Sequence, residues 1–216
     1  MPYTIVTGAS RGIGKALALE CARKKRNLIL VSLSGEGLEE YGKFLSGGYE
    51  VDVETYETDL ISYGAVKNFF DWCRTEDFAI DMLINNAGIG SQGSFEFSSP
   101  GEFRPMIKLN TESLVTMCWN AIPFLKEHQQ SYILNVGSVS SFMAVPYKAV
   151  YAATKNFVLS FSNSLYYELA DSGISVSCLC PGPTLTSGEQ IGKIREQGFK
   201  AKIMISQTQH VARRAI

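Results

Sequence analysis

Short apolar runs alternate along the chain with longer segments in which apolar residues recur at helical spacing. The runs are nearly continuous in Leu, Ile and Val, which is typical of strands buried on both faces. Six segments are predicted as strands: Tyr3–Thr7, Leu28–Ser32, Glu50–Glu57, Asp81–Asn85, Ser131–Val136 and Ile174–Cys180. Five longer segments are predicted as helices: Gly12–Lys25, Leu38–Leu45, Tyr63–Glu76, Pro100–Lys126 and Val150–Asp171.

This regular alternation predicts an α/β fold, a doubly wound parallel sheet with helices on both faces. No linker or internal repeat divides the sequence, so we expect a single domain over residues 1–216. Ligands in such sheets bind at the carboxyl ends of the strands. Beyond Pro181-Gly182-Pro183 the pattern weakens, and residues 185–205 are expected to form a substrate loop before a short helix at Gln207–Ile216.

The composition narrows the class of protein. The 216 residues include 20 Lys and Arg against 21 Asp and Glu, a balance that argues against a nucleic-acid-binding protein. No apolar run reaches the length of a membrane span and no leader is recognised, so we expect a cytoplasmic protein. Five cysteines are an odd number, which disfavours a disulfide framework. Cys178 and Cys180 lie on a predicted strand, where we expect them to face opposite sides, and no metal site is expected there.

A glycine-rich turn follows the first predicted strand directly. The sequence from Thr7 to Gly14 reads Thr-Gly-Ala-Ser-Arg-Gly-Ile-Gly. Glycines here permit a tight turn and a close approach of backbone to a phosphate, and the following helix presents its N-terminal N–H groups to the anion. We therefore predict phosphate binding by the segment, namely by Gly8, Ser10, Arg11, Gly12, Ile13 and Gly14.

A nucleoside triphosphatase is the first alternative, because Gly14-Lys15 imitates the end of a P-loop. That motif fails at both ends. Its first glycine falls on Ala9, and the residue after the lysine is Ala16, which has no hydroxyl for Mg²⁺. The spacing Thr-Gly-x-x-x-Gly-Ile-Gly instead resembles the short-chain dehydrogenase/reductase family, whose fold is of Rossmann type.

The resemblance continues through most of the chain. Ser138 followed by Tyr151-x-x-x-Lys155 resembles the catalytic set of the family, and Asn110 matches the asparagine that extends it. The remaining matches imply cofactor contacts: Asp59 and Leu60 at the adenine ring, Asn86, Ala87 and Gly88 along the cleft, and Pro181, Gly182 and Thr184 at the nicotinamide. Taken alone, Asp59 is also an ordinary helix N-cap.

The spacing of Tyr151 and Lys155 has a chemical reason. Residues four apart on a helix lie on one face, and a nearby ammonium lowers the pKa of a phenol. The resemblance implies that Tyr151 is the general acid and that Ser138 hydrogen-bonds the substrate oxygen. It also implies that Lys155 tunes Tyr151 and holds the ribose, while Asn110 positions a water that links Lys155 to solvent.

The cofactor is predicted to be NADP(H) rather than NAD(H). The second predicted strand is not followed by the acid that usually binds the ribose 2′-hydroxyl, and no acid appears before Glu36. Arg11 lies where NADP-preferring family members carry a basic residue, and Ser32 could donate to the 2′-phosphate. Against this, Leu33 stands where many of them have a second arginine.

The sequence indicates the substrate and the oligomeric state only in general terms. Aromatic and apolar residues in Gly90–Phe97 and Val139–Tyr147 predict a pocket for a hydrophobic ketone or acyl chain, as in the ketoreductase branch that includes 3-oxoacyl reductases. The family also implies a homodimer or homotetramer through Thr111–Leu125 and Phe157–Leu169. Family members normally continue into a seventh strand, which this sequence lacks. A non-catalytic NADP(H)-sensing or scaffold protein is the remaining alternative.

Overall fold

Six parallel strands form one sheet in the computed structural model, which describes residues 1–184 and 207–216. The strands are β1 Tyr3–Thr7, β2 Asn27–Ser32, β3 Val53–Glu57, β4 Ile80–Asn85, β5 Ser131–Val136 and β6 Ile174–Leu179. The helices are α1 Gly12–Arg23, α2 Leu38–Tyr49, α3 Ala65–Thr75, α4 Pro100–Ile107, α5 Leu114–Leu125, α6 Ala149–Glu168 and α7 Thr208–Ala215.

The strand order is β3-β2-β1-β4-β5-β6, so the direction of winding reverses between β1 and β4. In an open parallel sheet the crevice beyond the carboxyl ends of two such strands is where a ligand binds. The glycine turn follows β1, and Asn86-Ala87-Gly88 follows β4. The predicted doubly wound α/β fold is therefore confirmed, and it brings both predicted cofactor segments to one place.

Each face of the sheet carries its own apolar core. Neighbouring residues of a strand point to opposite faces, so Ile5 packs with α3, α5 and α6 on one side while Val6 packs with α1 and α2 on the other. Phe69 and Phe70 are fully buried in the first core. Burial on both faces explains why the strands read as continuous apolar runs.

The segment predicted as one helix, Pro100–Lys126, is divided by a π-helical turn over Lys108–Ser113. Such turns insert an extra residue into the helix and are frequent at functional sites. Asn110 lies in this turn and is 1% exposed. Helical periodicity continues on both sides of the turn, which is why the sequence pattern gave no sign of it.

The third strand is shorter than predicted. It begins at Val53 rather than at Glu50, because α2 runs on to Tyr49 through two glycines. Glu50 then takes a left-handed conformation with φ of +55° and ends the helix. Glycine pairs normally interrupt helices, and here the helix ends only after them.

The described chain ends in α7, which packs against α1. Ala212 is fully buried in the core beside α1, and Arg213 Nε lies 3.4 Å from the Glu20 carboxylate. The predicted substrate loop, residues 185–205, lies outside the described residues. Within residues 1–184 and 207–216, no helix has both the length and the apolar character that crossing a membrane requires.

Candidate active site

The glycine turn between β1 and α1 takes a conformation that glycine favours. Gly8 and Gly12 have φ of +65° and +58°, values that are unfavourable for residues with a Cβ. A Cβ on Gly14 would stand 2.2 Å from the Gly8 carbonyl oxygen, so glycine is what allows α1 to begin this close to the turn. No side chain of the described residues caps α1 at Arg11, and the first N–H groups of the helix therefore face the crevice.

The end of β4 is hydrogen-bonded to this turn. Asn86 Nδ2 donates to the carbonyl oxygens of Thr7 and Gly8 at 2.9 and 3.2 Å. In return, Thr7 Oγ1 accepts the N–H groups of Asn86 and Ala87, each at 3.0 Å. The predicted residues on β1 and β4 thus form one connected structure at the switch point.

A carboxylate lies against the outer side of the turn. Ser10 Oγ donates to Glu36 Oε2, and Arg11 Nη1 lies 3.6 Å from Glu36 Oε1. The Arg11 side chain is 72% exposed. The buried Ser32 hydroxyl, predicted to contact the cofactor here, donates instead to the Leu33 carbonyl at 3.1 Å. The sequence analysis missed that Glu36 folds back onto Ser10 and Arg11.

Asp59 and Leu60 follow β3 at the rim of the same edge. The exposed Asp59 carboxylate accepts the N–H of Ile61 at 3.2 Å. The N-cap alternative was wrong, because α3 begins only at Ala65 and its N-cap is Gly64. Leu60 is buried, and its carbonyl accepts the Ser113 hydroxyl at 2.9 Å. The Asp59 carboxylate keeps further lone pairs free for a ligand.

Tyr151 stands at the start of α6 beside the loop that follows β5. Burial raises its pKa, and a hydrogen bond with Ser138 acts in the opposite direction but is the smaller influence. Ser138 is 8% exposed, and its Oγ accepts the Ser140 N–H at 3.1 Å. On the other side, a Cβ on Gly90 would lie 3.1 Å from the Tyr151 ring. The Tyr151 phenol therefore lies between the side chain of Ser138 and the backbone of Gly90, which has no side chain.

Lys155 lies one turn further along α6 with its ammonium inside the protein. It is 5% exposed, its Nζ donates to the Val136 carbonyl at 2.8 Å, and Nζ is 6.0 Å from the centre of the Tyr151 ring. Burial lowers its pKa from the ordinary value to about 8. The sequence predicted that Lys155 lowers the Tyr151 pKa. In this structure burial dominates instead, and the Tyr151 pKa is raised.

Asn110 is held by three hydrogen bonds. Its Nδ2 donates to the Ile89 carbonyl at 2.9 Å and to Thr154 Oγ1 at 3.0 Å, and its Oδ1 accepts the Ile89 N–H at 3.0 Å. Both amide hydrogens are thereby used, so only a lone pair of Oδ1 remains for the predicted water. A Cβ on Gly88 would lie 3.1 Å from Asn110 Oδ1 and 3.4 Å from Lys155 Nζ, so both groups approach Gly88 where a side chain would be.

The segment after β6 borders the same site. The Pro181 carbonyl accepts the Val139 N–H at 3.0 Å, next to Ser138. Thr184 turns its hydroxyl to the Gly182 carbonyl at 2.8 Å. The structure therefore brings the predicted catalytic residues Asn110, Ser138, Tyr151 and Lys155 to the edge of the sheet where the glycine turn and the Pro181–Thr184 segment lie.

Comparison with known proteins agrees with this geometry. The sequence matches the family model described as short chain dehydrogenase over residues 3–195. The chain belongs to the short chain dehydrogenase family. Its curated relatives include the 3-oxoacyl-acyl-carrier-protein reductase FabG of Buchnera aphidicola, 30% identical over 179 residues, which covers 82% of this chain and 71% of that protein.

Other relatives of this short chain dehydrogenase are longer. Hydroxysteroid dehydrogenase-like protein 1 of Gallus gallus is 34% identical over 185 residues, which are 83% of this chain but 54% of that protein. The chain spans 62% of the very-long-chain 3-oxoacyl-CoA reductase-B of Danio rerio, with 31% identity. A solved short-chain dehydrogenase from Sphingobium yanoikuyae in complex with NADPH has a TM-score of 0.86 and 31% identity, covering 99% of this chain and 82% of that chain.

A shallow pocket opens beside Tyr151 in this short chain dehydrogenase. The N–H of Gly93 donates to the Tyr147 carbonyl at 2.9 Å and joins the two loops that were predicted to form it. The described lining combines small, aromatic and charged residues: Ser91, Gly93, Phe95, Ser98, Glu102, Phe103, Tyr147, Lys148, Ala149 and Val150. Glu102 and Lys148 bring charges that the sequence did not lead us to expect.

Two cysteines at the end of β6 contradict their predicted orientation. Cys178 Sγ and Cys180 Sγ lie 3.7 Å apart instead of on opposite faces. The predicted orientation was wrong, because side chains two positions apart along a strand point to the same face of the sheet. Thr154 was also missed as a partner of Asn110, although its place between Tyr151 and Lys155 on one helix could have indicated it.

Proposed function

We propose that this chain is an NADP(H)-dependent oxidoreductase that interconverts a ketone and a secondary alcohol. The observation that carries the proposal is a cluster of three residues: Tyr151, the buried Ser138 beside it, and the buried Lys155, whose Nζ is 6.0 Å from the centre of the Tyr151 ring. It lies at the crevice whose other wall is the glycine turn. Membership of the short chain dehydrogenase family supports the same chemistry.

The described residues supply the proton chemistry, and a bound nicotinamide dinucleotide supplies the hydride donor or acceptor. In reduction, Tyr151 donates its proton to the substrate oxygen as negative charge develops there. Ser138 Oγ already accepts the Ser140 N–H, so its own hydrogen remains to stabilise that oxygen. The raised pKa of Tyr151 keeps its phenol protonated and ready to donate at neutral pH.

Lys155 is the residue that connects the two halves of the site. An ammonium has three donors, and one of them is fixed on the Val136 carbonyl. The remaining two are available for ribose hydroxyls and for proton transfer toward Tyr151. Asn110, with Thr154, holds the Ile89 backbone in place beside this ammonium.

The glycine turn fits a dinucleotide. Its left-handed glycines and the uncapped start of α1 offer backbone N–H groups to a pyrophosphate. Exposed Arg11 can reach a 2′-phosphate, and the solved short-chain dehydrogenase from Sphingobium yanoikuyae, 31% identical, is in complex with NADPH. These observations favour NADP(H) over NAD(H).

The proposed substrate is a hydrophobic ketone or an acyl chain. Exposed Phe95, Phe142 and Tyr147 lie on the loops around Tyr151, and apolar walls of this kind suit such a substrate. The relatives named as 3-oxoacyl and hydroxysteroid enzymes are consistent with it. We also propose that the protein is a homodimer or homotetramer, because α5 and α6 carry exposed aromatic side chains.

The test is NADPH oxidation by wild type and Tyr151→Phe against hydrophobic ketones and 3-oxoacyl thioesters. The phenylalanine keeps the ring packed and removes the proton donor, so turnover should fall about 10²–10⁴-fold while NADPH binding is retained. Tyr167→Phe, on the exposed side of the same helix, is the matched control. Near-normal turnover by Tyr151→Phe contradicts the assignment, and a wild type that binds NADPH without turning over any substrate favours the sensing alternative.

A further inference from the structure

Two thiols lie next to each other behind the candidate active site. Cys178 Sγ and Cys180 Sγ are 3.7 Å apart, and both residues are half-buried. A disulfide needs about 2.05 Å between its sulfurs, so rotation of the side chains through a small distance would close the pair. None of the roles proposed for the active site uses either cysteine.

Gly137 is what allows both sulfurs to occupy this place. It is paired with the end of β6 through its N–H and the Leu179 carbonyl, at 2.8 Å. A Cβ on Gly137 would stand 3.0 Å from each of the two sulfurs. Because Gly137 has no side chain, a small space remains just after β5, and the two sulfurs lie beside it.

The surroundings of the pair favour a thiolate on Cys180. The neighbouring Cys178 thiol lowers the Cys180 pKa by hydrogen bonding, and the Ser141 hydroxyl, the Ser138 N–H and the Lys155 ammonium act in the same direction. The other three cysteines, Cys21, Cys73 and Cys118, are buried, and burial raises the pKa of each to about 12. Because the thiolate is the reactive form, Cys180 is distinguished from them by position and by charge.

We propose that Cys178 and Cys180 are a redox-active dithiol that hydrogen peroxide closes to a disulfide. The Cys180 thiolate attacks one peroxide oxygen and breaks the O–O bond. With a proton from solvent, the other oxygen leaves as water and Cys180 becomes a sulfenic acid. The Cys178 sulfur then attacks the Cys180 sulfur and loses its proton, and the sulfenic oxygen leaves as a second water. Two electrons pass from the dithiol to the peroxide.

The disulfide would act on the cofactor side of the site. Cys180 is followed directly by Pro181, whose carbonyl accepts the Val139 N–H beside Ser138. Drawing the two sulfurs together moves this segment, and it also removes a thiolate that faces Lys155. This expectation rests on the proposed function. The oxidised chain should bind NADPH at least about tenfold more weakly, and dithiothreitol should restore the binding.

The first experiment does not depend on activity. The full chain is treated with hydrogen peroxide, the remaining thiols are alkylated, and the peptide that contains both cysteines is weighed. We expect wild type to lose two hydrogens and to escape alkylation at both sites. Cys178→Ser should instead carry a sulfenic acid on Cys180 that dimedone traps, and Cys180→Ser should keep an unoxidised Cys178. Cys73→Ser is the control and should form the disulfide like wild type.

The outcomes separate this proposal from the proposed function. Free thiols after peroxide treatment, or dimedone trapping at Cys180 in wild type with no disulfide, would overturn the dithiol. A disulfide that leaves NADPH binding unchanged would overturn its effect on the cofactor side. Loss of NADPH turnover in Tyr151→Phe tests the catalytic assignment and has no bearing on the mass of the cysteine peptide.

Discussion

At the scale of single residues, Glu36 limits how Arg11 can bind a cofactor phosphate. The carboxylate lies 3.6 Å from the guanidinium and accepts the Ser10 hydroxyl. A 2′-phosphate that binds the Ser10 hydroxyl and the Arg11 guanidinium must displace the carboxylate or lie beside it. Lying beside it is unfavourable, because two anions close together repel each other. We therefore expect the cofactor preference to depend on Glu36, a side chain four positions beyond the end of β2.

Arg11→Ala tests the phosphate contact. A guanidinium holds a phosphate by charge-assisted hydrogen bonds, and losing one worth roughly 1.5–3 kcal/mol should weaken NADPH binding about 10–100-fold. NADH, without the 2′-phosphate, should be little affected. Fluorescence titration of both cofactors at one fixed salt concentration measures this. An equal loss for both would show that Arg11 serves only the shared pyrophosphate, and tighter wild-type binding of NADH would contradict the NADP(H) proposal.

Glu36→Gln tests the opposing charge. Removing the negative charge while keeping the shape releases Arg11, so NADPH binding should become several-fold tighter and NADH binding should not. Glu39→Gln, which removes an exposed acid paired with Lys43 on α2, is the control in the same titration. Weaker binding of NADPH by Glu36→Gln would show that the carboxylate orders the turn rather than competing with the phosphate.

We expect the Lys155 ammonium to set an upper pH limit for ketone reduction. Burial lowers its pKa from 10.5 to about 8, so the charged form dominates below about pH 8 and is lost as the pH rises through that value. Because Tyr151 stays protonated over the same range, kcat/KM for ketone reduction should fall on this alkaline side. In Lys155→Arg, whose charge is permanent, any residual activity should lack that fall. A flat wild-type profile through pH 8 and 9 would contradict this role.

At the scale of elements, the close approach of α1 to the glycine turn is a packing requirement. Gly14→Ala would place a methyl 2.2 Å from the Gly8 carbonyl, and forced overpacking costs typically about 1–3 kcal/mol. We expect the thermal midpoint to fall by several degrees. Gly48→Ala is the matched control, since it lies in α2 with open space around it and should stabilise by about 0.5–1 kcal/mol. Equal midpoints for the two variants would contradict this reading of the turn.

The order and type of the main elements could be predicted from apolar runs, because β1 and β5 are buried on both faces and begin and end as the sequence indicated. The candidate catalytic set came from its resemblance to the family, and the spacing of Tyr151 and Lys155 on one helix added a chemical reason. What escaped prediction depends on contacts between distant segments: the π-helical turn at Asn110 is bound to Ile89, and Glu36 folds back onto Ser10. The closeness of Cys178 and Cys180 could have been predicted from their spacing, because side chains two apart on a strand share a face.

At the scale of the whole molecule, α5 and α6 present aromatic side chains to the outside. Trp119 is 72% exposed, and Phe157 and Tyr167 are exposed on α6. Exposed apolar groups of this size mark association surfaces. We expect Trp119→Glu to shift sedimentation velocity toward a smaller species, whereas Phe44→Glu, on α2, should not. A wild type that sediments as a monomer would contradict the proposed oligomer.

The position of β1 in the sheet also has a consequence for synthesis. β1 is made before β4, yet β4 is one of its two neighbours in the sheet and pairs with it through Thr4 and Met82. Until β4 has been made, β1 and β2 can pair while the other edge of β1 stays open, and an open apolar edge readily pairs with another chain. The nascent polypeptide therefore passes through a stage in which a strand that ends up in the middle of the sheet is open to pairing with another chain.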